Sequence, residues 1–238
     1  MHDTIAKGFR EELDFWDSEL SLTGDYAEGI RNRLDPERMH LNFPTEILPY
    51  IEALKERFRE TPRVIDVGSG PLSMLAMGCR QGLYHLTNVD PSAGEYMKLL
   101  AKHGHEPPWP LAEAFGEDLK DRFAPESFHL VWSHNALDHC QNPGLVLDNF
   151  STVLKPEGLA IIQARESEGS AMEWNGLHQH DLKLSEAGEL LHRTSSGDAE
   201  FKSLLNRSRW EIVKSHTESR GGRNYFRVVI RKASCPVP

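Results

Sequence analysis

Between Arg63 and Ala164, short apolar runs alternate with stretches of helical period, and this alternation restricts the fold more than any other feature of the chain. Residues 63–67, 83–89, a run near 111–115, 128–133 and 159–164 have the length and apolar content of strands. Residues 72–80, 92–103 and 143–154 read as helices; in the second, Tyr96, Leu99, Leu100 and His103 recur at i, i+3, i+4 and i+7. Repeated strand–helix–strand units require parallel strands joined by right-handed crossovers. Lys155-Pro156-Glu157-Gly158 reads as a turn before the fifth strand. The end of the chain follows another rule. Two strand-like runs, 210–216 and 225–231, are separated only by Thr217 to Asn224, which include Gly221-Gly222. That spacing is too short for a helical crossover, so the pair is antiparallel. The expected fold is α/β: a doubly wound, mostly parallel seven-stranded sheet that ends in an antiparallel hairpin.

A helical segment precedes this pattern. Phe9, Leu13, Phe15, Trp16 and Leu20 fall roughly on one helical face, and Gly24-Asp25 break it. Another helix follows Pro44, with Ile47, Leu48, Ile51, Leu54 and Phe58 in period, and Thr61-Pro62 stop it. Residues 1–45 are therefore expected to form an N-terminal helical cap or lid, and 46–238 one cofactor-binding domain.

At 238 residues the chain can bury roughly 70% of its unfolded surface without disulfide staples. Cys79, Cys140 and Cys235 lack metal-type spacing, which suggests reduced thiols and a cytoplasmic location. No apolar run approaches the ~18 residues of a membrane helix. The net charge of −9 is opposite in sign to a phosphate-tracking surface, which disfavours a nucleic-acid partner. The basic clusters at Arg31 to Arg38 and Arg220 to Arg223 are expected to be solvated surface or turn residues.

The first strand runs into Val64-Ile65-Asp66-Val67-Gly68-Ser69-Gly70-Pro71. Glycines at a strand-to-helix turn allow close backbone approach to a ligand, and the following helix N-terminus favours an anion. Asp66 at the strand end can accept from an ammonium. Asp90 closes the second strand, where a carboxylate can take two ribose hydroxyls. A dinucleotide turn would want a third glycine where this chain has Ser73. An acid beside the glycines suits an amino-acid-bearing ligand better than a pyrophosphate.

Asp66-Val67-Gly68-Ser69-Gly70-Pro71, Asn88-Val89-Asp90-Pro91, Gly116-Glu117-Asp118-Leu119 and Leu154-Lys155-Pro156-Glu157-Gly158 resemble, in order and spacing, the successive landmarks of the class I S-adenosylmethionine-dependent methyltransferases. The resemblance covers roughly residues 62–164, and the terminal hairpin fits the family's last two strands. It implies S-adenosyl-L-methionine as cofactor. Asp66, Gly68, Gly70 and Pro71 would then surround the methionine moiety, and Asp90 with Pro91 the ribose. Gly116 and Glu117 would flank the adenine, and His134 and Asn135 would line the methyl-donor region. The family often carries an acid where this chain has Phe115, so adenine recognition would fall to backbone groups and Glu117.

Methyl transfer from a sulfonium is an in-line displacement that depends on alignment, and a hydroxyl nucleophile also needs a base. Histidine suits that role near neutral pH. Ser133-His134-Asn135-Ala136-Leu137-Asp138-His139 follows the fourth strand, at the carboxyl edge where open α/β sheets bind ligands. Trp174-Asn175-Gly176-Leu177-His178-Gln179-His180-Asp181 lies on a loop beyond the fifth. His178 is the expected base, with His139 and His180 as the other catalytic candidates. A divalent metal held by Asp138, His139, Glu166, His178 and His180 is a less favoured use of the same groups, because they come from separate loops. The expected reaction is O-methylation of a small sugar, polyol or phenol. The alternatives are N-methylation of a small amine, and a non-catalytic cofactor-binding regulatory subunit. The expected partner is a small-molecule acceptor, with neither membrane nor nucleic acid, and a homodimer is compatible with the sequence.

Overall fold

The computed structural model describes residues 2–195 and 200–234. Among the described residues, ten strands lie in two sheets. The larger has the order β3-β2-β1-β4-β5-β10-β9. β1 (Arg63–Val67), β2 (His85–Asp90), β3 (Leu111–Glu113), β4 (Phe128–His134) and β5 (Leu154–Arg165) run parallel. β9 (Trp210–Arg220) and β10 (Arg223–Lys232) form the expected antiparallel hairpin, with β10 against β5. This is a doubly wound, Rossmann-like arrangement. The strand order reverses between β1 and β4, so a crevice opens at their carboxyl ends.

The core lies on both faces of this sheet. On one face Ile65, Val131, Ile162 and Val228 pack against Val146, Leu147 and Phe150 of α7 (Pro143–Val153). On the other, Val64, Leu130, Trp132 and Ile161 meet Ile47 together with Ile51 and Leu54 of α3 (Leu48–Phe58). Alternate residues of β1 and β4 thus enter different clusters, as a sheet buried on both faces demands. α7 begins with Asn142, whose side chain accepts from Leu145 N, and Pro143 follows at the position where its missing N–H costs nothing.

Three local expectations are corrected. The helix expected over 72–80 is only α4 (Ala76–Arg80). Its first turn is given up because the Ser73 hydroxyl donates to Asp66 and accepts from Leu75 N, holding 71–75 as a loop. The Lys155–Gly158 turn lies inside β5 as a bulge, with Glu157 at φ 65° and the β4–β5 register shifting between Phe128 and Leu130. The segment after β5 is no open loop. It holds α8 (Glu168–Ala171) and a second, antiparallel sheet of β6 (His180–Leu184), β7 (Leu190–Thr194) and β8 (Lys202–Ser203).

At the N-terminus, α1 (His2–Leu20) and α2 (Ala27–Leu34) precede the sheet. Leu20 is fully buried with Ile30, Leu72 and Leu100. Asp17 holds Lys102 at 2.6 Å and His103 at 2.7 Å, binding α1 to α5 (Ala93–Lys102). Among the described residues no helix is long and apolar enough to cross a membrane. Cys79 and Cys140 are half-buried free thiols, and Cys235 lies outside the described residues.

Candidate active site

The turn after β1 is tied to β2 by its backbone: Gly68 N and Ser69 N both donate to Val89 O. Gly68 and Gly70 have φ of +72° and +60°. A Cβ on Gly68 would stand 2.3 Å from that of Ala136, and one on Gly70 would stand 3.0 Å from the Trp16 ring. Glycine is needed at both positions for conformation and for space.

Two acids face this turn. Asp66 is buried, and desolvation pushes its carboxyl up to about 7, partly offset by the Ser73 hydroxyl at 2.6 Å. Asp90 is buried too and pushed up to about 6 by burial. Its two oxygens accept from Gly70 N at 3.0 Å and Ser92 N at 2.9 Å. Arg33 was expected at a solvated surface. Instead its Nη1 reaches Leu72 O at 3.3 Å, its charge acts on Asp66, and its buried Nε has no protein partner. Burial lowers its guanidinium pKa. The sequence carried no signal for this, because a lone arginine in a basic cluster has no apolar period to mark it as buried. Pro71 is buried and Pro91 half-buried behind the same turns.

α1 lies across the mouth of the crevice. Trp16 covers Gly70, packs edge-on against Tyr96, and donates to Glu12 at 2.9 Å. Phe9 meets Phe115 edge-on, with centroids 6.2 Å apart. Gly8 is so close to Gly176 and Leu177 that a Cβ there would fall 2.7 Å from backbone. Glu12, which the sequence did not single out, acts electrostatically on both Asp90 and His178. This placement predicts that amide exchange along α1 slows when S-adenosylhomocysteine binds. Equal protection with and without ligand would make α1 a fixed brace.

The remaining residues expected at the cofactor site divide by environment. Gly116 is buried, and a Cβ there would press on Val146 at 3.0 Å. The Glu117 carboxylate accepts from Gln141 N at 2.8 Å and Asn142 N at 3.1 Å, so it braces the approach to α7. His134 ends β4, and burial with the charges of Arg33 and Arg220 pulls it down to about 4. Its imidazole is therefore neutral near pH 7. Asn135 has φ 49°, and its side chain accepts from Arg165 N.

The chemically richest feature joins two distant segments. A single-turn 3-10 helix, Leu137–His139, follows β4, while His178 comes from the approach to β6. Asp138 Oδ2 lies 2.9 Å from His178 Nδ1 and 3.4 Å from His139 Nε2, and the two ring nitrogens are 3.1 Å apart. Burial would raise Asp138, but the adjacent His139 and His178 outweigh it and hold the carboxyl below its usual value. Burial would lower His178, but its hydrogen bond to Asp138 wins and the imidazole is raised. The triangle stands beside the glycine turn, since Ala136 touches Gly68 and His139 acts on Asp90. His180 points elsewhere. Its ring bonds His192 at 2.8 Å and Cys140 O at 2.7 Å, and burial lowers its pKa.

Residues 65–162 match the family model described as a methyltransferase domain. That stretch belongs to the methyltransferase family. No curated protein matches the chain. One solved chain, from the complex between the Haloferax volcanii Trm112 methyltransferase activator and a methyltransferase, is 11% identical. It aligns over 78% of this chain and 94% of its own, with TM-score 0.52. The cyclase SpnF is 14% identical over 79% of this chain and 82% of its own, with TM-score 0.51. Both are similar to this chain in fold. The Burkholderia thailandensis 1,6-didemethyltoxoflavin-N1-methyltransferase, solved with S-adenosylhomocysteine, is 20% identical over 87% of each chain, with TM-score 0.49.

S-adenosylmethionine is the donor of this methyltransferase family. The turn fits it: a buried carboxyl whose side-chain partner is one hydroxyl, a buried arginine Nε without a protein partner, and two glycines whose Cβ positions are closed.

Proposed function

We propose that this methyltransferase O-methylates a small hydroxylated molecule: a sugar, a polyol or a phenol. The observation that carries the reading is the Asp138–His139–His178 triangle beside the glycine turn. When bound, the donor supplies a sulfonium methyl; the acceptor oxygen bonds to that carbon as the carbon–sulfur bond breaks, and sulfur keeps the electron pair. This chain's residues do the rest. Asp66 receives the donor's ammonium and Arg33 its carboxylate. Asp90 accepts from the ribose hydroxyls. Gly116 and the exposed Phe115 flank the adenine, with Glu117 shaping the loop. His134 and Asn135 border the donor beneath the acceptor. α1 excludes water, acting with the helices of 1–45 as a lid on the 46–238 domain. His178 and His139 face the acceptor hydroxyl, and without a bound cation its proton passes to His178 as the oxygen–carbon bond forms. His180, engaged at both ring nitrogens, holds the second sheet against Cys140.

Calorimetry followed by a transfer assay tests this. S-adenosylhomocysteine should bind and NAD should not, and mass spectrometry should find methyl groups on hydroxyl acceptors. Methylation confined to amines would replace O- with N-methylation. Binding with no transfer to any acceptor would favour a regulatory subunit. Tight NAD binding with no response to S-adenosylhomocysteine would remove the donor assignment.

A further inference from the structure

We infer that the Asp138–His139–His178 triangle is a binding site for one first-row divalent transition cation, with an open face for the acceptor's hydroxyl. The three ligand atoms offered are Asp138 Oδ2, His139 Nε2 and His178 Nδ1, and their separations are 2.9, 3.1 and 3.4 Å. A cation about 2.1 Å from each would see ligand–metal–ligand angles of about 85–110°. Those angles belong to three ligands on one face of an octahedron or tetrahedron. The other face remains for exchangeable ligands.

The donor set selects the ion. Two imidazoles and one carboxylate suit Zn²⁺, Fe²⁺, Co²⁺ or Mn²⁺, whereas Mg²⁺ and Ca²⁺ prefer oxygen and retain water. The site is also built before any ion arrives. Asp138 is buried on a 3-10 turn fixed by β4, and His178 precedes β6, so ordered elements supply the ligands. The spacing of the three residues in sequence gives no metal motif, because the fold brings position 178 to 138–139 across the α8 segment. Two hydroxyl oxygens of a polyol, or one hydroxyl and a water, could fill the open face. A coordinated hydroxyl loses its proton to solvent water more readily, because the cation stabilises the oxyanion. His139 and His178 then act as ligands that hold the cation. This deepens the O-methylation reading and rests on it for the acceptor, though not for the metal.

Metal-stripped full-length protein titrated with Co²⁺ and Zn²⁺ tests the site without any acceptor. Visible d–d absorption should appear at one Co²⁺ per chain, and Zn²⁺ should displace it. His139→Gln and His178→Gln should each weaken Zn²⁺ binding at least 100-fold, while exposed His85→Ala leaves it unchanged. Unaltered S-adenosylhomocysteine affinity and near-ultraviolet dichroism would show that the variants are folded. Mg²⁺ should not compete. Equal Zn²⁺ affinity in wild type and both variants, or no stoichiometric binding by wild type, would overturn the site. If hydroxyl methylation persists after chelation with no metal left in the protein, the metal site falls and O-methylation stands. If the metal binds at these residues but only amines are methylated, the reverse holds.

Discussion

Asp90→Ala is expected to weaken S-adenosylhomocysteine binding at least tenfold. In the role proposed for Asp90 the substitution removes an acceptor for two ribose hydroxyls, and each charge-assisted bond is worth on the order of 1.5–3 kcal/mol. A loss of about 1.4 kcal/mol already gives tenfold. The structure adds a second effect. Asp90 also holds Gly70 N and Ser92 N, so the alanine variant should melt at lower temperature even without ligand. Asp90→Asn separates the two, since it keeps volume and one acceptor. The pH dependence follows from the raised carboxyl, at about 6. Donor hydroxyls bind the ionised form, so wild-type affinity should fall as pH drops below about 6, by up to about tenfold per unit. Asp66, at about 7, titrates in the same window, and the difference between wild type and Asp90→Asn isolates the Asp90 share. For folding the sign is opposite. A carboxyl raised above its unfolded value keeps its proton in the native state, so native stability falls as pH rises from about 4 to about 6. Calorimetry from pH 4 to 8 checks both. An unchanged Kd in both variants would return Asp90 to a purely loop-holding role.

The large sheet was legible because its signal is local. The central parallel strands β1 and β4 are buried on both faces, so they read as apolar runs, and each crossover has its own period. The glycine turn was legible for the same reason: Gly68 and Gly70 answer to backbone geometry within a few residues. The second sheet was not legible. β6 begins at His180-Asp181, polar residues that are buried because His180 bonds His192 and Cys140 O, and Asp181 bonds Arg193 and Ser170. Polar residues satisfied across strands look like a solvated loop in one dimension. For Glu117 the sequence offered only its place in a family landmark; that its carboxylate accepts from Gln141 N and Asn142 N before α7 is a contact 24 and 25 residues away that no local pattern encodes. Fold likeness is equally limited as evidence of chemistry, because one similar fold belongs to an enzyme called a cyclase.

Asp138→Ala should lower turnover at least 100-fold while changing the donor's Kd less than threefold. Asp138 is buried and is the common partner of His139 and His178, so its loss removes the element that holds both rings in the place proposed for the acceptor. Groups that orient a catalytic ring or metal ligand typically matter by 10–100-fold, and a direct ligand to the reacting centre matters more. The contacts proposed for the donor, at Asp66, Asp90 and the glycine turn, do not involve Asp138. Removing a buried hydrogen-bonded carboxylate also costs stability, on the order of 1–3 kcal/mol, so assays should be run well below the variant's melting temperature. Asp138→Asn controls for this, since it retains the volume and one accepting oxygen while losing the charge. If the triangle only packs the loop, Asp138→Asn should restore both stability and rate. If its charge matters to the acceptor, Asp138→Asn should recover stability and stay slow, with kcat reduced and the donor's KM unchanged. Wild-type kcat in both variants would move the acceptor away from this corner of the crevice, leaving His139 and His178 as a hydrogen-bonded clasp between the β4 turn and the second sheet.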